Sequence, residues 1–259
     1  VALNLTTRLE DQIKREEKAR AWDESALHVS DLWYADEGCK RQLWLRLQNA
    51  EKRHPTMGEL LMWRSGRRVQ HDTAELLTKD FGPGSGWTLV EEVPCKIEEV
   101  TGFADMVLRC YTSPEVVVVE HKTQRGFAFS KMEGEGPRSQ HVIQLRGYLM
   151  ALNADYGILL YRDRDGSNRP LEYIVYRGDN DVKQALHQIR LVRDMAEPPQ
   201  ELDAVISTRK PKKGVEYELS QGELGDKTTY VQNPWQCEYC PYYKISCQGA
   251  LGRWREGVV

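Results

Sequence analysis

The chain has 259 residues, 40% of them hydrophobic and seven of them tryptophan, enough to bury a sizeable core in one elaborated domain or two small ones. Its 36 lysines and arginines nearly balance 39 aspartates and glutamates, so a surface for nucleic acid must be a local patch and not a property of the whole. No apolar run approaches a membrane span and residues 1–18 are strongly charged, so a cytoplasmic protein with no membrane contact is expected, its six cysteines reduced or bound to metal.

The first predicted element is a helix over residues 8–22, with Leu9, Ile13 and the 19–22 end on one side of a charged segment. Ser30-Asp31-Leu32 sets a capping serine ahead of apolar residues, Gly38-Cys39 interrupts, and helix resumes over 40–47. A long helix over 58–79 puts His71 and Glu75 on one face. Beyond the glycine-rich turn at 82–86, three strands are predicted over 87–98, 101–110 and 115–123. Residues 125–140 lack periodicity and predict a mobile loop. A helix over 141–153, a hairpin of 155–162 with 170–176 around Asp165-Gly166, and a helix over 179–195 follow. The pattern is α/β, without internal repeats, in three expected segments: an N-terminal helical one (1–56), a core (57–200) and a cysteine-bearing tail (201–259).

Chemistry concentrates at the third strand. Four consecutive valines, Val116 to Val119, require a strand buried on both faces, and Glu120-His121-Lys122 follow at once. Alternation puts Glu120 and Lys122 on one face and His121 on the other. On the preceding strand Asp105 shares a face with Phe103 and Val107. If the two strands pair as antiparallel neighbours through Thr112-Ser113-Pro114, Asp105 approaches Glu120 and the two carboxylates can share a magnesium or manganese ion. The plainer alternative is a salt bridge of either carboxylate with Lys122.

Arg125, Lys131 and Arg146, with Phe127, Phe129 and Tyr148, offer cations and aromatic faces for a single strand or a frayed end. Arg67-Arg68 and the cluster Arg209-Lys210-Pro211-Lys212-Lys213 are phosphate contacts or ordinary solvated charge. In the tail, Cys237, Cys240 and Cys247 gather three thiols; a closed zinc or iron–sulfur site needs a fourth, from Cys39, Cys95 or Cys110. Cys95 and Cys110 fall in or beside strands, where a thiol acts as a small hydrophobe, so Cys39 is preferred.

In this order, Ser30-Asp31-Leu32 with Cys39, His71 in a long helix, Gly102-Phe103-Ala104-Asp105, Glu120-His121-Lys122, Gln144 with Tyr148, and the three tail cysteines resemble the RecB-like branch of the PD-(D/E)xK nuclease superfamily. Within it the chain is similar to the CRISPR-associated iron–sulfur exonucleases of the fourth Cas type and their phage relatives. The interval from Gly66 to His71 is one residue longer than the family pattern. The resemblance implies a central mixed sheet flanked by helices, with a cluster clasping the N- and C-terminal segments. It implies that His71, Asp105, Glu120 and the carbonyl of His121 hold the metal and that Lys122 acts on the attacking water. Gln144 and Tyr148 would support the site and the DNA, and Cys39, Cys237, Cys240 and Cys247 would bind a 4Fe-4S cluster. The expected activity is a magnesium- or manganese-dependent DNA exonuclease in CRISPR adaptation or phage recombination, with integration or recombination proteins as partners. A non-catalytic adaptor on the same scaffold and a zinc-stabilised duplex endonuclease are the alternatives.

Overall fold

The structure is a computed structural model that describes residues 5–19, 26–82, 84–166, 168–200, 202–207, 210–211, 215–250 and 252. The 20–22 end of the first expected helix, and Arg209, Lys212 and Lys213 of the basic cluster, lie outside the described residues. In chain order come α1 (Leu5–Ala19), β1 (Leu27–His28), a 3-10 turn (Val29–Asp31), α2 (Leu32–Asp36), α3 (Lys40–Leu47), α4 (Met57–Asp80), β2 (Trp87–Ile97), β3 (Val100–Cys110) and β4 (Val116–Gln124). Then follow α5 (Gly126–Glu135), α6 (Ser139–Leu152), β5 (Tyr156–Asp163), β6 (Leu171–Tyr176), α7 (Asp179–Arg193), β7 (Val205–Ser207), β8 (Tyr217–Gln232) and α8 (Trp235–Tyr239). Two compact units form, Val1–Trp33 with Thr56–Leu186 and Tyr34–Pro55 with His187–Val259.

The first unit holds a mixed sheet in the order β1-β3-β4-β5-β6, with β2 paired to β3 as well. β2 runs antiparallel along β3 from Val100 to Cys110. On the other edge of β3, β4 pairs antiparallel with residues 106–109 and β1 pairs parallel with residues 100–101, so residues 102–105 face a gap between those two strands. β4 continues in parallel with β5 as far as Gln124, and that parallel step requires the crossover made by α5 and α6.

Burial on both faces explains the valine run. Val117 and Val119 pack with Met106, Leu108 and Ala74 of α4, while Val118 lies fully buried on the opposite face, the side of α6. A Cβ at Gly157 would stand 2.6 Å from the Val118 carbonyl oxygen and 3.0 Å from Leu145 of α6, so glycine is what lets β5 pass there. The N-terminus of α4 is fixed by a reciprocal cap: Thr56 N–H donates to Glu59 Oε2 at 2.8 Å and Glu59 N–H to Thr56 Oγ1 at 3.3 Å.

Two local expectations need correction. The segment expected as a mobile loop contains α5, anchored by Phe129 (2% exposed) and Met132, with Tyr173 Oη donating to the Met132 carbonyl at 2.6 Å. Near the chain start, Asp31 makes the capping bond, its Oδ2 accepting from His28 N–H at 2.7 Å. That role was expected of Ser30.

In the second unit β7 and β8 pair antiparallel. The segment Tyr34–Pro55 is tied to the tail by Arg53 N–H donating to the Pro241 carbonyl (2.9 Å) and Ser246 Oγ donating to the Glu51 carbonyl (2.6 Å). Among the described residues no helix is long and apolar enough to cross a membrane.

Candidate active site

The site begins where β3 and β4 part. Their last pairing is Met106 with Val119, so Asp105 and Glu120 are the next residues on the two strands. There the ladder is replaced by a side chain: Asp105 Oδ2 accepts from His121 N–H at 2.8 Å. Glu120 is 1% exposed; its Oε1 accepts from Lys122 Nζ at 2.6 Å, and its Oε2 is buried without a hydrogen-bond partner. Lys122 Nζ also donates to Gln144 Oε1 (3.1 Å), and Gln144 Nε2 donates to Tyr148 Oη (3.3 Å). Asp105, Glu120, Lys122, Gln144 and Tyr148 are therefore brought together.

Electrostatically the group is short of positive charge. Burial, then the charge of Glu120, pushes the Asp105 carboxyl well above the usual range, against the pull of Lys122 and the His121 N–H. Burial also raises Glu120, with Lys122 opposing. Lys122 is itself disfavoured by burial, but Glu120 and Asp105 outweigh that and raise it, so it stays an ammonium. Two buried carboxylates, one with an orphaned oxygen, fit a divalent cation.

Behind this pocket His121 turns to the other face, its Nε2 3.3 Å from Thr73 Oγ1. The Thr73 hydroxyl donates to the Val69 carbonyl and accepts from Arg162 Nη1 at 2.9 Å, so His121 Nε2 carries the proton that completes the set. Burial and then Arg162 lower His121 to about 4, which keeps it neutral. In α6, His141 Nδ1 lies 2.8 Å from Tyr161 Oη, and burial first lowers that histidine to about 2. Sequence reasoning singled out neither Thr73 nor His141; their polar character inside a packed layer was the available signal.

His71 is not brought to the carboxylates. Its ring is 66% exposed, with Nδ1 3.3 Å from Glu91 and Nε2 3.8 Å from Glu75. α4 meets β4 through Gly66, whose absent Cβ would lie 3.5 Å from Thr123 Oγ1, and through Thr73. Gln70 lies between them on that same face, and His71 is rotated about 100° away.

The sequence matches the PD-(D/E)XK nuclease superfamily over residues 3–248. The chain belongs to that superfamily. Among solved structures, SSO0001 superposes with a TM-score of 0.54 at 19% identity, over 93% of this chain and 95% of that one. An alkaline exonuclease from Laribacter hongkongensis gives 0.47 at 10% identity over 65% of this chain and 86% of its own. A phage-related exonuclease from Haemophilus somnus 129PT gives 0.44 at 12% identity over 65% and 93%. Comparison with curated proteins finds no match. The α/β fold, a mixed sheet between helices, is that of a PD-(D/E)XK core, and nucleases of this superfamily typically use a divalent metal.

The side chains expected to contact DNA are divided. Arg125 sits at the N-cap of α5, Lys131 is exposed and 3.4 Å from Glu135, and Phe127 is 88% exposed. Phe129 and Tyr148 are core, with no free ring face. Arg146, two residues and about 200° around the helix from Gln144, pairs with Asp181 and packs on Gly178.

The four expected cluster ligands, Cys39, Cys237, Cys240 and Cys247, line one small cavity of the second unit with Gln42, Leu45, Leu202, Gln236, Tyr243 and Gly249. Burial first, and the nearby Cys39, raise the Cys240 thiol. Backbone turns set the spacing: Cys240 N–H donates to the Cys237 carbonyl at 3.2 Å and Gly249 N–H to Cys247 Sγ at 3.4 Å. Cys95 and Cys110 do not line this cavity. Among the described residues no three His, Cys, Asp or Glu side chains are gathered closely enough to hold a metal ion as they stand.

Proposed function

We propose that the protein is a magnesium- or manganese-dependent deoxyribonuclease that degrades DNA from single-stranded or frayed ends. The observation that carries this reading is the meeting of Asp105 and Glu120 where β3 and β4 part, with Glu120 Oε2 buried and unpartnered and Lys122 alongside. Asp105, Glu120 and the carbonyl of His121 would hold the cation. When bound, it would lower the pKa of water and offset charge developing on the phosphate. Lys122, fixed between Glu120 and Gln144, presents an ammonium to the phosphate and orients the attacking water. Tyr148 braces Gln144 from behind. Phe127, with Arg125 and Lys131 nearby, would stack a base and hold phosphates of one strand.

Cys39, Cys237, Cys240 and Cys247 would hold a 4Fe-4S cluster with an architectural role, like the iron–sulfur exonucleases of CRISPR adaptation and their phage relatives. The quartet of thiols around one cavity supports this. Zinc is the second reading, because the same four thiols around one cavity match a closed tetrahedral site.

The test is digestion of end-labelled single-stranded and blunt duplex DNA with manganese or magnesium, run beside iron, sulfide and zinc analysis of anaerobically purified protein. The nuclease reading expects cleavage of single strands from an end that is lost in Glu120→Gln. Wild-type rates in folded Glu120→Gln overturn it. Brown protein with iron and sulfide near about four each supports the cluster; colourless protein with stoichiometric zinc supports the alternative.

A further inference from the structure

Helix α1 is laid against α4 by one apolar anchor and two ion pairs. Ile13 is 3% exposed. Three and four residues on, Glu16 pairs with Arg64 and Glu17 with Arg67. Arg64 and Arg67, three residues apart, share a face of α4 with their Cβ atoms about 5–6 Å apart. With Arg68 they line a cleft of about 510 Å³ whose other walls are Glu16, Glu17, Gln70, His71, Glu91 and Glu92. The cleft reaches the carboxylate pocket at Glu92, one of its walls, which lies on β2 opposite Asp105, between the pairs Glu91–Met106 and Val93–Ala104, and whose charge Asp105 feels.

We infer that Arg64, Arg67 and Arg68 form a phosphate-binding row for the strand that runs through the site, and that Glu16 and Glu17 of α1 occupy the row in its absence. The inference rests on the proposed function in needing a nucleic-acid substrate. Guanidinium groups in a row at helical spacing suit successive phosphates of one strand. Carboxylates are the intramolecular substitute, and both pairs are partly open to solvent, with side chains 14–40% exposed. Ion pairs of that exposure add little net stability. A polyanion can therefore exchange with them without unfolding the unit, and α1 acts as a guard that only a strand able to displace it passes.

The experiment measures affinity of the full chain for a fluorescent single-stranded DNA oligonucleotide in chelator, where no cleavage occurs, across a salt series. Glu16→Gln with Glu17→Gln should bind about tenfold tighter at low salt. Arg64→Gln with Arg67→Gln should bind at least about tenfold weaker, with the salt slope reduced by about 1.4. Adding the glutamate changes to that arginine variant should have no further effect. Ile13→Ala, which loosens the anchor and leaves every charge in place, should also tighten binding. Glu10→Gln with Asp11→Asn, the same charge removed from residues that do not line the cleft, should change it less than twofold. Unchanged or weaker binding by both the Glu16/Glu17 and Ile13 variants overturns the inference, as does wild-type affinity in the arginine variant. If the variants show these binding shifts yet wild-type protein cuts no DNA with manganese, the nuclease reading alone is sunk.

Discussion

Replacing Asp105 by asparagine should make the metal-free protein more stable and abolish the proposed cleavage. The amide oxygen can still accept the His121 N–H now bound at 2.8 Å, so the link between β3 and β4 survives. What disappears is a buried charge facing Glu120. Cross-strand neighbours stand about 5 Å apart, and at an effective dielectric of about 20 the repulsion of two carboxylates at that range is about 3 kcal/mol. The lost pull of Lys122 and the weaker neutral hydrogen bond offset part of it. Burial and Glu120 are nevertheless the larger influences on Asp105, so the gain keeps its sign at about 1–2 kcal/mol. The pH dependence follows from the raised carboxyl: the fold retains a proton that the unfolded chain has shed. This group's contribution is complete below the ordinary aspartate pKa and is lost as pH climbs through the raised value. Urea unfolding in chelator should therefore show wild type weakening between pH 5 and pH 8, with the variant nearly level and ahead at pH 8. Manganese should reverse the order, since a ligand at a hundred times its Kd adds about 2.7 kcal/mol to wild type alone. A variant less stable than wild type in chelator at pH 8, or equally stabilised by manganese, would refute the reasoning.

Lys122→Met should keep manganese binding by calorimetry while single-turnover cleavage of end-labelled DNA falls by about 10²–10³, the scale of losing one donor to developing charge. His71→Gln should leave manganese binding within about twofold of wild type because His71 engages Glu91 and Glu75 on an exposed face; calorimetry decides. Phe129→Ala should cost about 3–5 kcal/mol in urea unfolding, as a fully buried ring leaves a cavity. Phe127→Ala should leave stability unchanged and weaken single-strand binding by about 1–3 kcal/mol, the value of one stacked base, in a fluorescence titration.

Strand period made much of the centre readable. Four valines with no polar break leave β4 nowhere but between two helical layers, and a period of two then fixes Glu120 and Lys122 on one side and His121 on the other. The short turn after Cys110 fixes the antiparallel register that brings Asp105 level with Glu120. Helical segments were less legible where few residues carry the face. α5 shows only Phe129 and Met132 buried, with Gly126 and Gly134 diluting the pattern, so its sequence looks like loop. Arg146 lies close to Gln144 in sequence, yet rotation around α6 turns it to Asp181. In the tail, Cys237, Cys240 and Cys247 are gathered by adjacent turns, whereas Cys39 reaches them through contacts of Tyr34–Pro55 with the tail that no local pattern encodes.

The extra residue between Gly66 and His71 shows how one contact can settle a helix face that sequence leaves open. Gly66 is where α4 comes nearest to Thr123, and Thr73 is where it meets His121. Seven residues separate the two, about two turns, so both point at β4 and the face between them is fixed. Gln70 stands one turn from each end of that interval. His71 falls on the neighbouring face, where its ring meets Glu91 of β2 and Glu75 of its own helix. Moving His71 to β4 would require rotating α4 by about 100°, which would withdraw Thr73 from His121 and Arg162 and turn Ala74 out of the cluster it shares with Met106 and Val119. A small glycine contact and a hydroxyl accepting from two strands thus hold the register, and Gln70, not His71, is the α4 side chain on the face turned to β4 between those contacts.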